Sequence, residues 1–581
     1  MLPTLLVGMT MAFGQVPSNP VPPPVFNNPV PASPQASSYG AVPQPLPNGA
    51  PPVISYGGTP PQTFSNGSSS SVMVLPPAKI PQAPVQYNSG STPTTSEVPA
   101  QNGNGNGNGD NNGSNNTPQE PGGFGKRFLS GYPMLHEWFP KWLGPAANGD
   151  ENQPEPARRG LPAPLPSPPM PSGEWQGYPV IGVPYESSTY PLMSAIYQGP
   201  WGDEIKQSRV KVYGWVNVSG NWSTSTNSNT PDSYWIVPNS LQMDQFVLRA
   251  ERLVDSVQTD HISVGFRSTF LYGMDYRYMT AGGWTSYQLL ELNNLYGYDL
   301  TEQYIDVYFP RIAQGLIMRV GRWIACPDIE TQFAPDNYMG THSILFTFDT
   351  YTQTGIMFTL MLNDQWQVQG AIHAGTDMAP WYPGAEPTGM FGIRWVSRSN
   401  NDSVYLVLND INDGQFRYFI DPYTGKLEGH DNFQYVVGTW QHKFNDRIHT
   451  KTEAYYMWQF NAVVGGTPSF GPTYPYGGGG GFGAPIPGTS RNYGVVNYTM
   501  FHLSKKDFLT IRNEWWRDEE GERSGFAGNY TSHTIGITHN VSSNFQIRPE
   551  VGYYRNWDQP AFDLGTKQYL LQYGFDATLR F

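Results

Sequence analysis

Opposite charges recur in this sequence at a spacing of two residues. The four pairs are Arg249/Glu251, Lys451/Glu453, Arg512/Glu514 and Arg548/Glu550. Successive side chains of a β-strand point to opposite faces, so this spacing places both charges of a pair on one face. If the other face meets lipid, turning the charged face outward would cost about 2–4 kcal/mol for each midplane Arg or Lys. Because a folded protein is stable by only about 5–15 kcal/mol, we predict that the pairs face water.

The last fourteen residues show the same two-faced pattern most clearly. The apolar face reads Tyr569, Leu571, Tyr573, Phe575, Ala577, Leu579 and Phe581. Its aromatic residues lie near both ends, as in the girdles of an outer-membrane β-barrel. The segments near Asn544 and His261 repeat the alternation, although Pro549 lies on the apolar face of the first. Every backbone polar group in lipid must be hydrogen-bonded internally, so strands of this kind must close into a barrel.

Alternating segments of this kind recur along the C-terminal part of the chain. Strands are predicted to start near Arg209, Leu241, His261, Thr301, Gly315, Tyr351, Gln365, Gly389, Ser403, Asn432, Arg447, Arg491, Lys506, Tyr530, Asn544 and Gln568. Short turns such as Asn363-Asp364 and Ser542-Ser543 alternate with longer loops, which is the asymmetry of an outer-membrane barrel. We therefore predict an all-β fold, an antiparallel transmembrane β-barrel of about 16 strands (range about 14–18) over residues 207–581.

The composition suits a barrel with an aromatic outer belt. The 581 residues include 36 Tyr, 17 Trp and 29 Phe, and 14% are charged, against about 25% in soluble domains. The net charge of −13 leaves no basic stripe, which argues against nucleic acid as a partner. The sequence contains no run of about twenty apolar residues, so it predicts no α-helical membrane span. A secreted all-β protein would have a similar composition.

The N-terminal third differs from the rest. Residues 1–14 contain a short apolar run that ends Ala12-Phe13-Gly14, which predicts a secretory signal peptide, with a simple apolar N-terminus as the alternative. Residues 15–175 are rich in Pro, Asn, Gly and Ser, so we predict a long disordered region. An aromatic island at 124–143 interrupts it, as an interfacial helix or as part of the linker.

Several segments together resemble a known family. They are Gly265–Arg267, Leu271–Asp275, Gly315–Trp323, Pro327–Glu330, Asp336-Asn337, Ser343 and Thr352–Ile356. This order of a basic glycine strand, an acidic loop and a Thr-x-Thr-Gly strand resembles the OmpL-like family of β-barrel porins over residues 207–581. The resemblance implies an outer-membrane channel with no catalytic residues. Cys326-Pro327 departs from the pattern at the start of the loop.

The loop from Ile324 to Thr350 provides candidates for a constriction. Its polar candidates are Asp328, Glu330, Asp336 and Asn337. Folded inward, the loop would narrow the pore opposite Arg267, Arg319 and Arg512; otherwise it would cap the mouth. Arg267 and Arg319 join the four charge pairs as pore-lining candidates. A pore wall that carries positive and negative charges can orient polar solutes and set ion selectivity. The alternative is that the charge pairs are only structural and solvate a wet interior.

Catalytic patterns are weak in this sequence. The segment His539–Asn544 loosely resembles the His-Ser arrangement of outer-membrane phospholipases, but Ser542 would point away from His539 in a continuing strand. No Gly-x-Ser-x-Gly elbow or His-Glu-x-x-His zinc pattern is present. The single Cys326 and the scattered histidines predict no metal site and no cofactor.

These observations predict a non-enzymatic porin in the outer membrane of a Gram-negative-type cell envelope. Small hydrophilic solutes or ions would diffuse passively through a water-filled lumen. The expected partners are outer-membrane lipid, the solutes themselves and further copies of the chain in a homotrimer. The alternatives are a secreted or surface-attached structural or adhesive all-β protein and an outer-membrane lipid hydrolase.

Overall fold

The computed structural model describes residues 181–182 and 190–581, except 233, 326–327, 400, 421–424, 426 and 466–482. The predicted signal peptide, the predicted disordered region and the aromatic island at 124–143 lie outside the described residues.

The described residues form eighteen strands, of which sixteen close into one antiparallel barrel. The strands are β1 (Lys211–Ser223), β2 (Leu241–Arg252), β3 (Ser263–Gly273), β4 (Gly297–Phe309), β5 (Leu316–Ile324), β6 (Thr352–Met361), β7 (Trp366–His373), β8 (Thr388–Val396), β9 (Asp402–Ile411), β10 (Arg417–Ile420), β11 (Leu427–His430), β12 (Gln434–Lys443), β13 (Ile448–Phe460), β14 (Thr489–His502), β15 (Asp507–Asp518), β16 (Gly528–Asn540), β17 (Phe545–Asn556) and β18 (Tyr569–Arg580). The pair β10–β11 is a separate hairpin, and β18 pairs with β1 to close the ring. The predicted fold class is confirmed. Every predicted strand start lies within four residues of an observed one, the largest difference being Thr301 against Gly297.

The alternation of the strands separates an outer face from an inner face. In β17, Val551 is exposed on the outside, whereas Arg548 and Glu550 are buried inside. Pro549 faces outward and pairs with Phe575 of β18, while the register with β16 is interrupted beside it. A proline has no N–H to donate to the ladder, which explains why pairing is lost on one side.

Outward aromatic rings form pairs near both ends of the barrel. Trp222 and Tyr573 stack at 5.6 Å near the ends that carry the long loops. Trp366 and Trp395 lie 6.5 Å apart near the short turns. These are the positions of the interfacial girdles of a transmembrane barrel.

Loops on one side of the barrel are long, and turns on the other side are short. Turns 362–365 and 541–544 contain the predicted Asn363-Asp364 and Ser542-Ser543, and turns 444–447 and 503–506 are equally short. The loop between β5 and β6, residues 325–351, is termed L3.

Short helices accompany the strands. They are α1 (Pro191–Tyr197), α2 (Gly202–Ser208), a 3₁₀ turn (Met274–Tyr278), α3 (Tyr287–Leu290), a second 3₁₀ turn (Ala334–Asp336) and α4 (Ile344–Thr347), the last two within L3. Among the described residues, no helix has the length and apolar character needed to cross a membrane. Just before α1, the Tyr190 hydroxyl accepts a hydrogen bond from Arg580 Nη1 at 2.8 Å, which fixes this segment to β18.

Candidate functional site

L3 folds into the barrel and crosses its interior. It connects β5 to β6, yet it binds β15 and β17, which lie on the far side of the ring. From β17, Arg548 Nη1 donates to the carbonyl oxygens of Ala334 at 2.9 Å and Asn337 at 2.8 Å. Arg548 also forms an ion pair with Asp576 of β18. One buried guanidinium therefore joins two wall strands to the loop.

The tip of L3 is held by charges of both signs. Arg512 Nη1 of β15 donates to the Thr341 carbonyl oxygen at 2.9 Å. Glu550 of β17 accepts from the backbone N–H groups of Gly340 at 2.9 Å and Thr341 at 3.2 Å, and from the Thr341 hydroxyl. Arg512 Nη2 also donates to the Tyr554 hydroxyl at 2.8 Å. Such charge-assisted hydrogen bonds are stronger than neutral ones, so the tip is well fixed.

Two further carboxylates, Glu514 and Glu330, lie around the start of α4. Glu514 of β15 accepts from the Ile344 N–H at 3.1 Å. Glu330 accepts from the Ser343 N–H at 3.0 Å and from the Tyr498 hydroxyl, and lies 4.0 Å from Arg512. Burial raises the pKa of Glu330, and Arg512 opposes this effect. Both carboxylates thus fix the same turn of L3.

The first half of L3 contacts β2 and β18. Gln245 Nε2 of β2 donates to the Gln332 carbonyl oxygen at 2.7 Å. Asp336 lies 3.6 Å from Arg580 of β18 in an ion pair. Asn337 braces the loop itself, since its Oδ1 accepts from the Thr331 N–H at 2.8 Å.

The charge pairs share the inner face, but their ion pairs run between strands. Arg249 Nη2 lies 2.8 Å from Glu302 of β4. Glu251 lies 2.6 Å from Arg267 of β3, and Arg267 lies 3.2 Å from Glu302. Arg319 lies 2.8 Å from Asp306 of β4 in the same manner. Arg267 and Arg319 are therefore held by wall carboxylates.

The remaining pair, Lys451 and Glu453 on β13, faces the ends and the middle of L3. The Lys451 ammonium lies 4.1 Å from the ring centroid of Tyr338. Glu453 accepts from the Ile329 N–H at 2.9 Å. Carboxylate oxygens of Asp328, Asp349 and Glu453 all lie within 4.8 Å of one another. Burial raises the pKa of both loop carboxyls, Asp328 and Asp349.

Sequence reasoning missed the uncharged residues that hold the loop. Gln245, Thr341, Tyr498 and Tyr554 all donate or accept hydrogen bonds at L3 or beside it. For Gln245, Tyr498 and Tyr554, the available signal was a polar side chain on the inward face of a strand that also carries Arg or Glu. Thr341 lies in L3 itself, where no such signal exists.

The residues of the hydrolase alternative lie at the end of β16 and in the turn that follows it. His539 Nδ1 is 2.7 Å from Asp507 Oδ1. The Ser542 hydroxyl accepts from the N–H groups of Asn544 at 3.3 Å and Phe545 at 3.1 Å, which is a turn-capping role. Within the described part of the chain, no hydrogen bond joins His539 to Ser542.

The solved structures that are similar to this chain share little sequence with it. The search of curated proteins found no match. Among solved structures, the outer membrane channel DcaP of Acinetobacter baumannii is 10% identical, with 64% of this chain and 97% of that chain covered and a TM-score of 0.37. OprB of Pseudomonas putida is 11% identical over 66% and 97% of the two chains, with a TM-score of 0.40. OmpT of Vibrio cholerae is 10% identical over 64% and 99%, with a TM-score of 0.39.

The family match covers the whole barrel. Residues 209–581 match the family described as "Putative beta-barrel porin-2, OmpL-like". This span begins before β1 and includes all sixteen barrel strands. The chain belongs to this OmpL-like family of outer-membrane β-barrel porins.

Proposed function

We propose that small hydrophilic solutes or ions diffuse passively through this barrel, and that L3 sets the narrowest part of the path. The observation that supports this proposal is the crossing of the interior by L3, with its tip bound to Arg512 and Glu550 on the far wall. A loop fixed across the interior reduces the width available to a solute. The barrel then acts as a sieve for size and charge.

The charges around L3 supply the selectivity in this proposal. Arg512 and Arg548 line the wall, and Glu330 and Asp336 are carried by the loop. Positive and negative groups on facing surfaces produce a transverse field, which orients polar solutes. Asp328 and Asn337 add polar groups to the same loop. The wall pairs Arg249/Glu251 and Lys451/Glu453, with Glu514, Arg267 and Arg319, extend the polar surface along the interior.

We also propose that the chain is a channel and not an enzyme, and that the passage of solutes needs no cofactor. Its outer face would contact membrane lipid, as the exposed apolar residues on the strands favour. Residues 1–14 would serve as a secretory signal, and the barrels would associate as a homotrimer. Intact-mass measurement of the mature protein and light scattering in detergent test these last two points. A lipase assay of a Ser542→Ala/Ser543→Ala variant tests the hydrolase alternative.

Deletion of residues 328–340 tests the role of L3. We expect a larger single-channel conductance and altered ion selectivity in planar bilayers, because the crossing segment and three of its acidic groups are removed. The control is a variant that lacks Gly477–Gly481, a glycine run between β13 and β14 in the sequence. Unchanged selectivity after the L3 deletion, in a correctly folded barrel, would count against L3 as the constriction.

A further inference from the structure

Three carboxylates meet where both ends of L3 approach β13. Asp328 follows β5, Asp349 precedes β6 and Glu453 lies on β13. One carboxylate oxygen from each lies within 4.8 Å of the others. Asp349 is 2% exposed and Glu453 is 0% exposed. Such proximity of buried like charges is costly unless something compensates them.

The surrounding protein supplies little compensation. Among the described residues, none of the three carboxylates forms an ion pair with a Lys or Arg. Glu453 uses one oxygen to accept from the Ile329 N–H at 2.9 Å. Within the same described part of the chain, Asp349 Oδ1 and Glu453 Oε1 have no hydrogen-bond partner. The nearby Lys451 ammonium lies over the Tyr338 ring.

Two neutral oxygens beside the carboxylates are also left without partners. The Tyr435 hydroxyl, on a residue 1% exposed, has no hydrogen-bond partner among the described residues, and neither does the Thr439 hydroxyl, on a residue 3% exposed. Thr439 lies directly opposite Glu453 in the β12–β13 register. The charges that act most strongly on the Tyr435 hydroxyl are Asp349, Glu453 and Asp328. Buried polar groups normally have partners, so these oxygens favour the binding of a ligand at this place.

We propose that Asp328, Asp349 and Glu453 form a binding site for a hard divalent cation, with Ca²⁺ as the probe. Carboxylate and neutral oxygens are the donors that Ca²⁺, Mg²⁺ and Mn²⁺ prefer. Ligand oxygens at about 2.3–2.6 Å from Ca²⁺ lie at most about 5 Å apart, which agrees with the observed separation. The hydroxyls of Tyr435 and Thr439 are the neutral oxygens available to complete the ligand set.

The position of the site indicates that the cation stabilises the attachment of L3 to the barrel wall. Asp328 and Asp349 lie at opposite ends of L3, and Glu453 belongs to the wall. A bound ion therefore ties both ends of the loop to β13, independently of the contacts that Arg512 and Glu550 make with its tip. The sequence predicted no metal site from its single cysteine and scattered histidines, whereas these three carboxylates come from distant segments.

Calorimetric titration of Ca²⁺ into the full-length protein tests this inference. The protein is folded in detergent, stripped with EDTA and compared with a Glu453→Gln variant, which keeps the size and one acceptor of the side chain. We expect one site per chain in the native protein and an affinity at least about tenfold lower in the variant. Glu522→Gln is the matched control, because Glu522 is a buried glutamate outside this cluster, and it should bind Ca²⁺ like the native protein.

Heat-modifiable mobility on a gel shows whether each variant has folded. If Glu453→Gln does not fold, Asp349→Asn takes its place, and the titration of the native protein remains decisive by itself. No Ca²⁺ binding by the native protein, or equal affinity in folded Glu453→Gln or Asp349→Asn, would overturn the site and leave three carboxyl groups that share protons. This experiment measures Ca²⁺ binding and not conductance, so its result does not decide the porin proposal.

Discussion

Arg512 is the cation through which the wall holds the tip of L3. Its guanidinium reaches the Thr341 carbonyl oxygen and the Tyr554 hydroxyl, and it lies 4.0 Å from Glu330. Removing one partner from such a buried set leaves the other charges uncompensated. The acidic groups around the loop would then dominate the local potential.

Replacement of Arg512 with Gln is expected to increase selectivity for cations. The loss of one positive charge leaves Glu330, Glu514 and Glu550 with less compensation at the narrowest part of the path. The reversal potential in a tenfold KCl gradient measures this change. An ideally selective channel gives roughly 59 mV, the value of one tenfold step for a single charge. Arg491→Gln is the control, because Arg491 is partly exposed at a strand end and pairs with Glu519. Equal reversal potentials for the two variants would contradict the assignment.

Individual contacts of this kind were only partly accessible from the sequence. The spacing of two residues predicted that Arg249 and Glu251 lie on the same face of their strand, and in β2 both are on the inner face. Their ion-pair partners, Glu302 and Arg267, depend on the register of three strands. Register comes from strand pairing across long sequence separations, and residue spacing within one strand does not reveal it.

At the scale of the elements, the loop between β15 and β16 contains a buried carboxyl group, Glu522, whose contribution to stability depends on pH. Glu522 accepts from Gln459 Nε2 at 2.8 Å and from the Ser490 hydroxyl, so it ties this loop to β13 and β14. Burial, assisted by Asp431 and opposed by Arg523, raises the pKa of Glu522 to about 8. The folded protein therefore binds this proton more tightly than the unfolded chain does. This contribution to stability is present at low pH and is lost as the pH rises from about 4.5 through about 8.

Glu522→Gln is expected to reduce the pH dependence of stability. The amide cannot ionise, and it retains an acceptor for Gln459 and a donor for Ser490. The midpoint of the heat-modifiable transition, measured between about pH 5 and pH 9, should fall less in the variant than in the native protein. Parallel curves for the two proteins would show that Glu522 does not carry a raised pKa.

Strand β16 tests the assignment of the outer face to lipid. Ile535 lies at the middle of this strand, is 48% exposed and pairs with Ile511 and Val551. Ile535→Arg should destabilise the barrel in lipid by about 2–4 kcal/mol, which chemical unfolding in liposomes measures. Leu503→Arg, in the short turn between β14 and β15, should have little effect. Equal stability of both variants would contradict a lipid-facing β16.

The elements that the sequence did not reveal are short or lack alternation. The hairpin β10–β11 has four residues in each strand, which is too few for a period of two to stand out. Helix α1 has seven residues and no acidic residue in its first turn. The long strands carried a strong signal because each presents one face to lipid and the other to the interior.

At the scale of the whole molecule, one closed ring separates two environments. Apolar and aromatic side chains cover the outside, while charged and hydroxyl groups turn inward and bind a loop that crosses the interior. Alternation revealed the ring, since it reports the surroundings of each face. The inward path of L3 was left open by the sequence, because its direction is decided by contacts with distant strands such as β15 and β17.

Single-channel recording of the native protein with polymers of increasing size tests the porin function most directly. The folded, heat-modifiable barrel should insert into planar bilayers and give discrete, ohmic steps of conductance. Small polar polymers should reduce the steps, and polymers above a sharp size limit should leave them unchanged. Folded protein that inserts into the bilayer and conducts no ions under any applied voltage would contradict this account.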